Sequence, residues 1–247
     1  MCQDCGCLET DVTMIDGEKP LHDHHKNPLS QPREISLKKN ILHKNDEIAR
    51  HNREHLNRED VFCLNLISAP GSGKTALLER LIRDLGQEIP ISVIEGDLQT
   101  QMDAERIRST GVKAVQINTG SACHLDAEMI HKALHQLELP RKSLLFIENV
   151  GNMVCPTAFD LGEHKKIAVI SCAEGEDKPA KYPDLILVSD VLLINKTDLL
   201  PYLDYDLAKT KAAALKIKPQ IKIFTVSATK GFGLTAFYDW LKSNLQP

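Results

Sequence analysis

The chain has 247 residues, 42% of them hydrophobic and 26% charged, with a formal net charge of -4. That size suits one α/β domain with a tail, or at most two small domains. The mild acidity gives no reason to expect a nucleic-acid or anionic-membrane partner, no apolar run reaches the length of a membrane span, and the polar start Met1-Cys2-Gln3-Asp4-Cys5 lacks the layout of a secretory signal, so a cytoplasmic location is the default expectation.

Residues 1–34 read as a flexible tail, and 35–247 as a nucleotide-binding domain with an N-terminal helix. The tail carries Pro20, Pro28 and Pro32 and no sustained apolar periodicity. It also carries Cys2, Cys5 and Cys7, and a short cluster of His22, His24 and His25. Three closely spaced thiols on a polar tail have no core to fill, so metal binding is their better physical account. With the α-amino group nearby, an S₃N set would favour Ni²⁺ over Zn²⁺. The histidines suit a weaker store, or are simply a solvated polar face.

From Ser36 to Arg58, Leu37, Ile41, Leu42, Ile48 and Leu56 recur near helical spacing, which predicts an amphipathic helix. Short apolar runs then alternate with helical patterns. Strands are expected at Val61–Ile67, Ser92–Glu95, Val112–Ile117, Leu144–Glu148, Ile167–Ser171, Val191–Asn195 and Ile221–Val226. Helices are expected through Leu85, around Asp103–Ser109, Leu125–Leu137 and Tyr205–Leu215, and over Gly233–Leu245. This alternation predicts an α/β fold, a mostly parallel β-sheet flanked by helices on both faces.

Between the first strand and its helix lies Ser68-Ala69-Pro70-Gly71-Ser72-Gly73-Lys74-Thr75. Glycines at such a turn let backbone N–H groups close on phosphates, and the helix that opens there adds its positive dipole end. Gly71, Ser72, Gly73 and Lys74 are therefore expected to cradle the phosphates, with Lys74 reaching the β- and γ-phosphates and the Thr75 hydroxyl on Mg²⁺. Ser68 stands where the general pattern has Gly.

The sixth run ends in Asn195-Lys196-Thr197-Asp198, the Asn-Lys-x-Asp pattern of GTP-binding proteins. An Asp198 carboxylate can accept from both N–H groups on the guanine edge, and adenine offers no such donor pair. Lys196 lies along the base and Asn195 braces the loop. Ser227 and Ala228, at the end of the last strand, resemble the loop whose backbone amides meet the guanine oxygen. Glu148 and Asp97 each end a strand and are expected at Mg²⁺ or the attacking water. Gly151 can aim its N–H at the γ-phosphate. The catalytic group on this reading is Lys74, Asp97 and Glu148. No water-positioning Gln and no arginine finger is identifiable, so slow intrinsic hydrolysis is expected.

Cys123-His124 and Cys155 offer thiolate and imidazole, which suit Zn²⁺ and Ni²⁺ alike. On the residues alone a lone cysteine is more often a small buried hydrophobe than a ligand.

Taken together, the Cys-x-x-Cys-Gly-Cys start, the Ser68–Thr75 loop, Glu95-Gly96-Asp97, Asn118-Thr119-Gly120 with Cys123-His124, Glu148-Asn149-Val150-Gly151-Asn152 with Cys155-Pro156-Thr157, Asp177-Lys178-Pro179, and Asn195-Lys196-Thr197-Asp198 closely resemble the hydrogenase nickel-incorporation GTPases of the HypB family. The urease accessory GTPases (UreG) are related in plan. The resemblance implies a P-loop NTPase fold of the dimerising (SIMIBI) class. It also implies GTP hydrolysis to GDP, a nucleotide-linked homodimer, partnership with a HypA-type metallochaperone, and nickel delivery to the [NiFe]-hydrogenase large subunit. It maps an interfacial Ni²⁺ or Zn²⁺ site onto Cys123, His124 and Cys155, and a tighter nickel site onto Cys2, Cys5 and Cys7. A nickel store or sensor in which GTP only regulates assembly is the alternative.

Overall fold

The computed structural model describes residues 31–97 and 102–245, with side chains described for 40–97 and 105–245. The sequence-based sites at Cys2, Cys5, Cys7, His22, His24 and His25 lie outside the described residues. Among those described, no helix is long and apolar enough to cross a membrane.

Seven strands form one sheet in the order β3-β2-β4-β1-β5-β6-β7. They are β1 (Val61–Ser68), β2 (Ile91–Asp97), β3 (Lys113–Asn118), β4 (Ser143–Glu148), β5 (Lys165–Ser171), β6 (Val191–Asn195) and β7 (Lys222–Thr225). Every pairing is parallel. All seven strands coincide with the apolar runs that predict them, shifted by a few residues at their ends. The central strands are buried on both faces, so they read as continuous apolar runs rather than alternating ones.

Helices α1 (Gln31–Arg58), α2 (Lys74–Leu85), α3 (Met102–Arg108), α4 (Ala127–Leu134), α5 (Lys178–Lys181), α6 (Pro183–Val188), α7 (Leu207–Ile217) and α8 (Leu234–Leu245) cover the two faces. Alternation along β1 sorts the core. Leu64 and Leu66 pack with Leu77, Leu81, Phe237 and Trp240 under α2 and α8. On the opposite face Cys63 joins Leu56 of α1 and Ile130 and Leu134 of α4, while Ile67 joins Leu185 of α6 and Ala214 of α7.

Two features differ from the sequence-based expectation. Helix α1 opens at Gln31, ahead of Ser36, with Pro32 in its first turn, where the missing N–H costs nothing. The short helices α5 and α6 escape periodicity analysis because, at 4 and 6 residues, neither spans two full turns. Each begins on a proline at its first or second position.

Parallel strands bring their C-terminal ends to one edge of the sheet, and ligands of open α/β sheets bind there. The C-terminal ends of β2, β4 and β6, the loops after β1, β3, β4, β6 and β7 and the turns that open on them, including the start of α2, carry every sequence-predicted site residue that falls within the described residues.

Candidate functional site

Gly71 and Gly73 sit at φ +76° and +93°, a region L side chains rarely adopt. A Cβ on Gly73 would stand 2.7 Å from Asn195 Nδ2. The P-loop is thus bent tightly against the loop after β6. Lys74 and Thr75 are almost fully buried at the start of α2. Lys74 Nζ donates to Ser68 Oγ at 2.7 Å, and Ser68 Oγ donates to the Ala69 carbonyl at 2.7 Å. Ser68, the departure from the general pattern, therefore offers an acceptor to the ammonium that a glycine would lack. Ser72 Oγ is buried with no hydrogen-bond partner among the described residues, as befits a group placed to meet a ligand oxygen.

Thr75 Oγ1 donates to Glu148 Oε1 at 2.9 Å, both groups being buried. A hydroxyl and a carboxylate this close beside the phosphate loop are the hard oxygen donors Mg²⁺ takes. Asp97 ends β2 at the same edge, and its carbonyl accepts from Thr119 N at 2.9 Å.

The base-side loops interlock with the P-loop. Asn195 Nδ2 donates to the Ser72 carbonyl at 3.0 Å, and Asn195 Oδ1 accepts from Ala228 N at 3.1 Å. One buried amide thus joins the P-loop, β6 and the loop after β7. Lys196 lies at φ +60° and donates through Nζ to the Gly71 carbonyl at 2.6 Å. Asp198 Oδ1 accepts from Ser227 Oγ at 2.5 Å. Asp198 is thereby held in one orientation by a side chain of the adjacent loop. The Cys172 thiol donates to the Lys196 carbonyl at 2.8 Å, a contact with no sequence signature.

A second cluster lies alongside. The Sγ atoms of Cys123 and Cys155 and a ring nitrogen of His124 all fall within 4.8 Å of one another, and each residue is half-buried. They come from the loops after β3 and β4. His124 stacks on Phe159, centroids 4.0 Å apart. Burial pushes its imidazole below the ordinary histidine value, against a smaller opposing pull from Asp126. The neutral ring is the form that ligates a metal. Cys155 opens a 3₁₀ turn over Cys155–Ala158, with Pro156 behind it. Softness of the donors fits Ni²⁺ or Zn²⁺, and three ligands leave a coordination position open.

The two clusters share a loop. Gly151 presses on the P-loop, where an added Cβ would stand 3.0 Å from Pro70 Cγ. Asn149 Oδ1 accepts from Leu125 N at 3.3 Å, and Asn152 Nδ2 donates to the Cys123 carbonyl at 3.3 Å. Asn149 also reaches Asn65 at 3.2 Å, and Asn65 reaches the buried carboxylate of Glu163 at 3.1 Å. Sequence reasoning passed over Asn65, although a polar residue inside the apolar run Val61–Ile67 was the available signal.

Strand order, phosphate loop and base-side loops define a P-loop nucleotide-binding fold. Residues 62–225 match the family model described as CobW/HypB/UreG, nucleotide-binding domain. A hydrogenase maturation factor HypB from Rhizobium leguminosarum bv. viciae is 54% identical over 218 residues, covering 88% of this chain and 73% of the relative. Among solved structures, HypB from Archaeoglobus fulgidus is 40% identical with a TM-score of 0.78, covering 83% of this chain and 100% of that one. HypB from Helicobacter pylori, solved in complex with nickel, is 39% identical with a TM-score of 0.79, covering 82% and 95%. The chain belongs to the HypB family of hydrogenase maturation factors.

Proposed function

We propose that this chain is a GTP-hydrolysing nickel metallochaperone, in which the state of the nucleotide sets the geometry of the Cys123/His124/Cys155 site. Carrying the reading is the loop after β4. Its Glu148 and Gly151 lie against the P-loop, Asn149 and Asn152 beside them touch the Cys123–Leu125 segment, and Cys155 follows three residues on. The nickel complex of the Helicobacter pylori relative supports nickel as the cargo.

In this mechanism Lys74 turns from Ser68 to the β- and γ-phosphates. Thr75 and Glu148 would hold Mg²⁺, which would neutralise charge on the phosphates when bound. Asp97 orients the attacking water. Asp198 reads the guanine edge, Lys196 lies along the base, and the Ala228 amide region meets the guanine oxygen. Gly151 follows the γ-phosphate, and the loop carries Asn152 and Cys155 with it, so the ligand spacing changes on hydrolysis. A homodimer facing through this edge would double each ligand across the two-fold axis and complete the coordination. Val154, 60% exposed next to Cys155, gives that edge an apolar contact. A HypA-type metallochaperone and the [NiFe]-hydrogenase large subunit are the partners this role requires. The tail, residues 1–34 with Cys2, Cys5 and Cys7, would deliver nickel to the domain, residues 35–247.

A Lys74→Ala variant separates this from a nickel store regulated by GTP. Under the insertion reading it binds nickel but fails to mature hydrogenase in cells. Maturation at the wild-type level would overturn that reading in favour of storage.

A further inference from the structure

Helices α1 and α4 run side by side; α1 carries His51 and His55, and α4 carries His131 with His135 capping its C-terminal end, each pair four residues apart. The contacts Asn45–Ala127, His51–His131 and His55–His135 advance in the same direction along both helices, so the two histidine pairs face one another in register. Residues at i and i+4 share a helix face. None of the four belongs to the nucleotide site or to the Cys123/His124/Cys155 cluster.

Two of the pairwise separations, His131–His135 and His51–His131, match those of imidazoles sharing one ion. His131 Nε2 and His135 Nε2 stand 3.2 Å apart. Two ligand nitrogens at about 2.0–2.1 Å from a tetrahedral metal are separated by roughly 3.3 Å. Ring centroids are 4.6 Å apart for His131 and His135 and 5.2 Å for His51 and His131. Imidazoles sharing one ion at that bond length have centroids roughly 4.5–5.2 Å apart. His55 lies further out, its centroid 6.5 Å from that of His135.

The protein also fixes the tautomer. Asn52 is fully buried, and its Nδ2 donates to the carbonyls of Ala127 at 2.8 Å and Leu161 at 3.2 Å. Two carbonyl acceptors settle which end of the amide is nitrogen, so Asn52 Oδ1, 3.1 Å from His131 Nδ1, must accept. The His131 proton is therefore on Nδ1, and its Nε2 accepts from His135 Nε2–H at 3.2 Å, a hydrogen bond that a metal ion would replace. A ligating histidine whose second nitrogen is held by a buried acceptor is the usual support of a metal site.

We propose that His51, His131 and His135, with His55 as a fourth ligand, form a second site for a divalent transition metal, Ni²⁺ or Zn²⁺, that clamps α1 to α4. Imidazole sets suit both ions. As it stands, the quartet does not have three ligand atoms within 4.8 Å of one another; among the described residues only Cys123, His124 and Cys155 do. His51 is exposed and His55 half-buried, so neither ring is locked into the core, and the site requires both to rotate towards the His131–His135 pair. The groove between the helices opens beside His51 and His131. Glu128 on its rim is engaged by Lys132 at 3.1 Å.

The test is equilibrium dialysis of the full chain against Ni²⁺ and, separately, Zn²⁺. Wild type is compared with His51→Gln/His135→Gln and with His135→Gln alone, whose exposed side chain can change without disturbing the core. The same comparison is repeated in a Cys123→Ser/Cys155→Ser background. The proposal expects one equivalent per chain fewer of at least one ion in the double variant, in both backgrounds, and at least a 10-fold weaker site in the single variant. Unchanged stoichiometry and affinity would overturn it. So would a loss seen only with the two cysteines intact, since the metal would then belong to the thiolate cluster.

Discussion

Asn152 Nδ2 donates a hydrogen bond to the Cys123 carbonyl at 3.3 Å, joining the loop after β4, which also bears Gly151 and Cys155, to the loop that holds the other two members of the metal cluster. Asn149 on Leu125 and Phe159 stacked on His124 tie the same two loops. Any movement that a nucleotide imposes at Gly151 has a short route to the sulfur atoms.

Replacing Asn152 with Ala removes one of those ties. A neutral hydrogen bond is worth about 1 kcal/mol, so the ratio of Ni²⁺ affinities in the two nucleotide states should shrink by roughly five-fold. Isothermal titration with GDP and with a non-hydrolysable GTP analogue measures it. An unchanged ratio would show that the coupling runs elsewhere.

Gly73→Ala should fold yet bind nucleotide poorly. The added Cβ meets Asn195 Nδ2 at 2.7 Å and occupies a positive φ. Strain of this kind costs of order 1–3 kcal/mol, and it dislodges the amide that links P-loop and base loop. Thermal denaturation should report a moderate loss of stability, and fluorescent GDP titration an affinity loss of at least about 10-fold.

Asp198→Ala tests base reading. It leaves Ser227 Oγ without its acceptor and removes the carboxylate from the guanine edge. Two charge-assisted hydrogen bonds at about 1.5–3 kcal/mol each predict GDP binding weakened by at least about 100-fold. Adenine nucleotides, which never made those bonds, should be little affected. Equal losses for both bases would contradict guanine reading by this residue.

Acid should loosen α1 and β5 through His164. Burial, then the charge of Arg53, holds its imidazole below the ordinary histidine value. Its Nδ1 accepts from Cys63 N at 2.9 Å, and Nε2 pairs with Asn57 Oδ1 at 2.8 Å, so the neutral ring is the one that fits. Below about pH 6.5 the unfolded chain takes up a proton that the folded chain resists, so stability rises with pH through that region. His124 and His131 are displaced in the same direction. Chemical denaturation between about pH 5 and 7.5 should show a positive slope, reduced but not abolished in His164→Gln.

The strands were legible because a doubly covered parallel sheet demands nearly continuous apolar runs; Val191–Ile194 supplies one without a break and Val61–Ile67 one broken only by Asn65. Phosphate and guanine loops were legible because few residues other than Gly, Lys and Asp can do that work at those spacings. The metal cluster was less so. Thirty-two positions separate Cys123 from Cys155, and only the strand order brings their loops together. The asparagines were least legible. Asn52, Asn65, Asn149 and Asn152 act through single directed bonds, and no periodicity records the direction of an amide. His51 and His55 on α1, and His131 on α4 with His135 at its C-terminal cap, are likewise i, i+4 pairs whose partner the sequence does not name.

Reciprocal linkage tests the central claim most directly. If nucleotide state changes nickel affinity at Cys123, His124 and Cys155 by some factor, nickel must change nucleotide affinity by the same factor. The measurement is Ni²⁺ affinity with GDP and with the GTP analogue, paired with affinity for each nucleotide with and without Ni²⁺, in wild type and in Cys155→Ala. The account predicts equal factors of at least about five in wild type and a factor near one in the variant. Equal nickel affinity in both nucleotide states of the wild-type protein would contradict it.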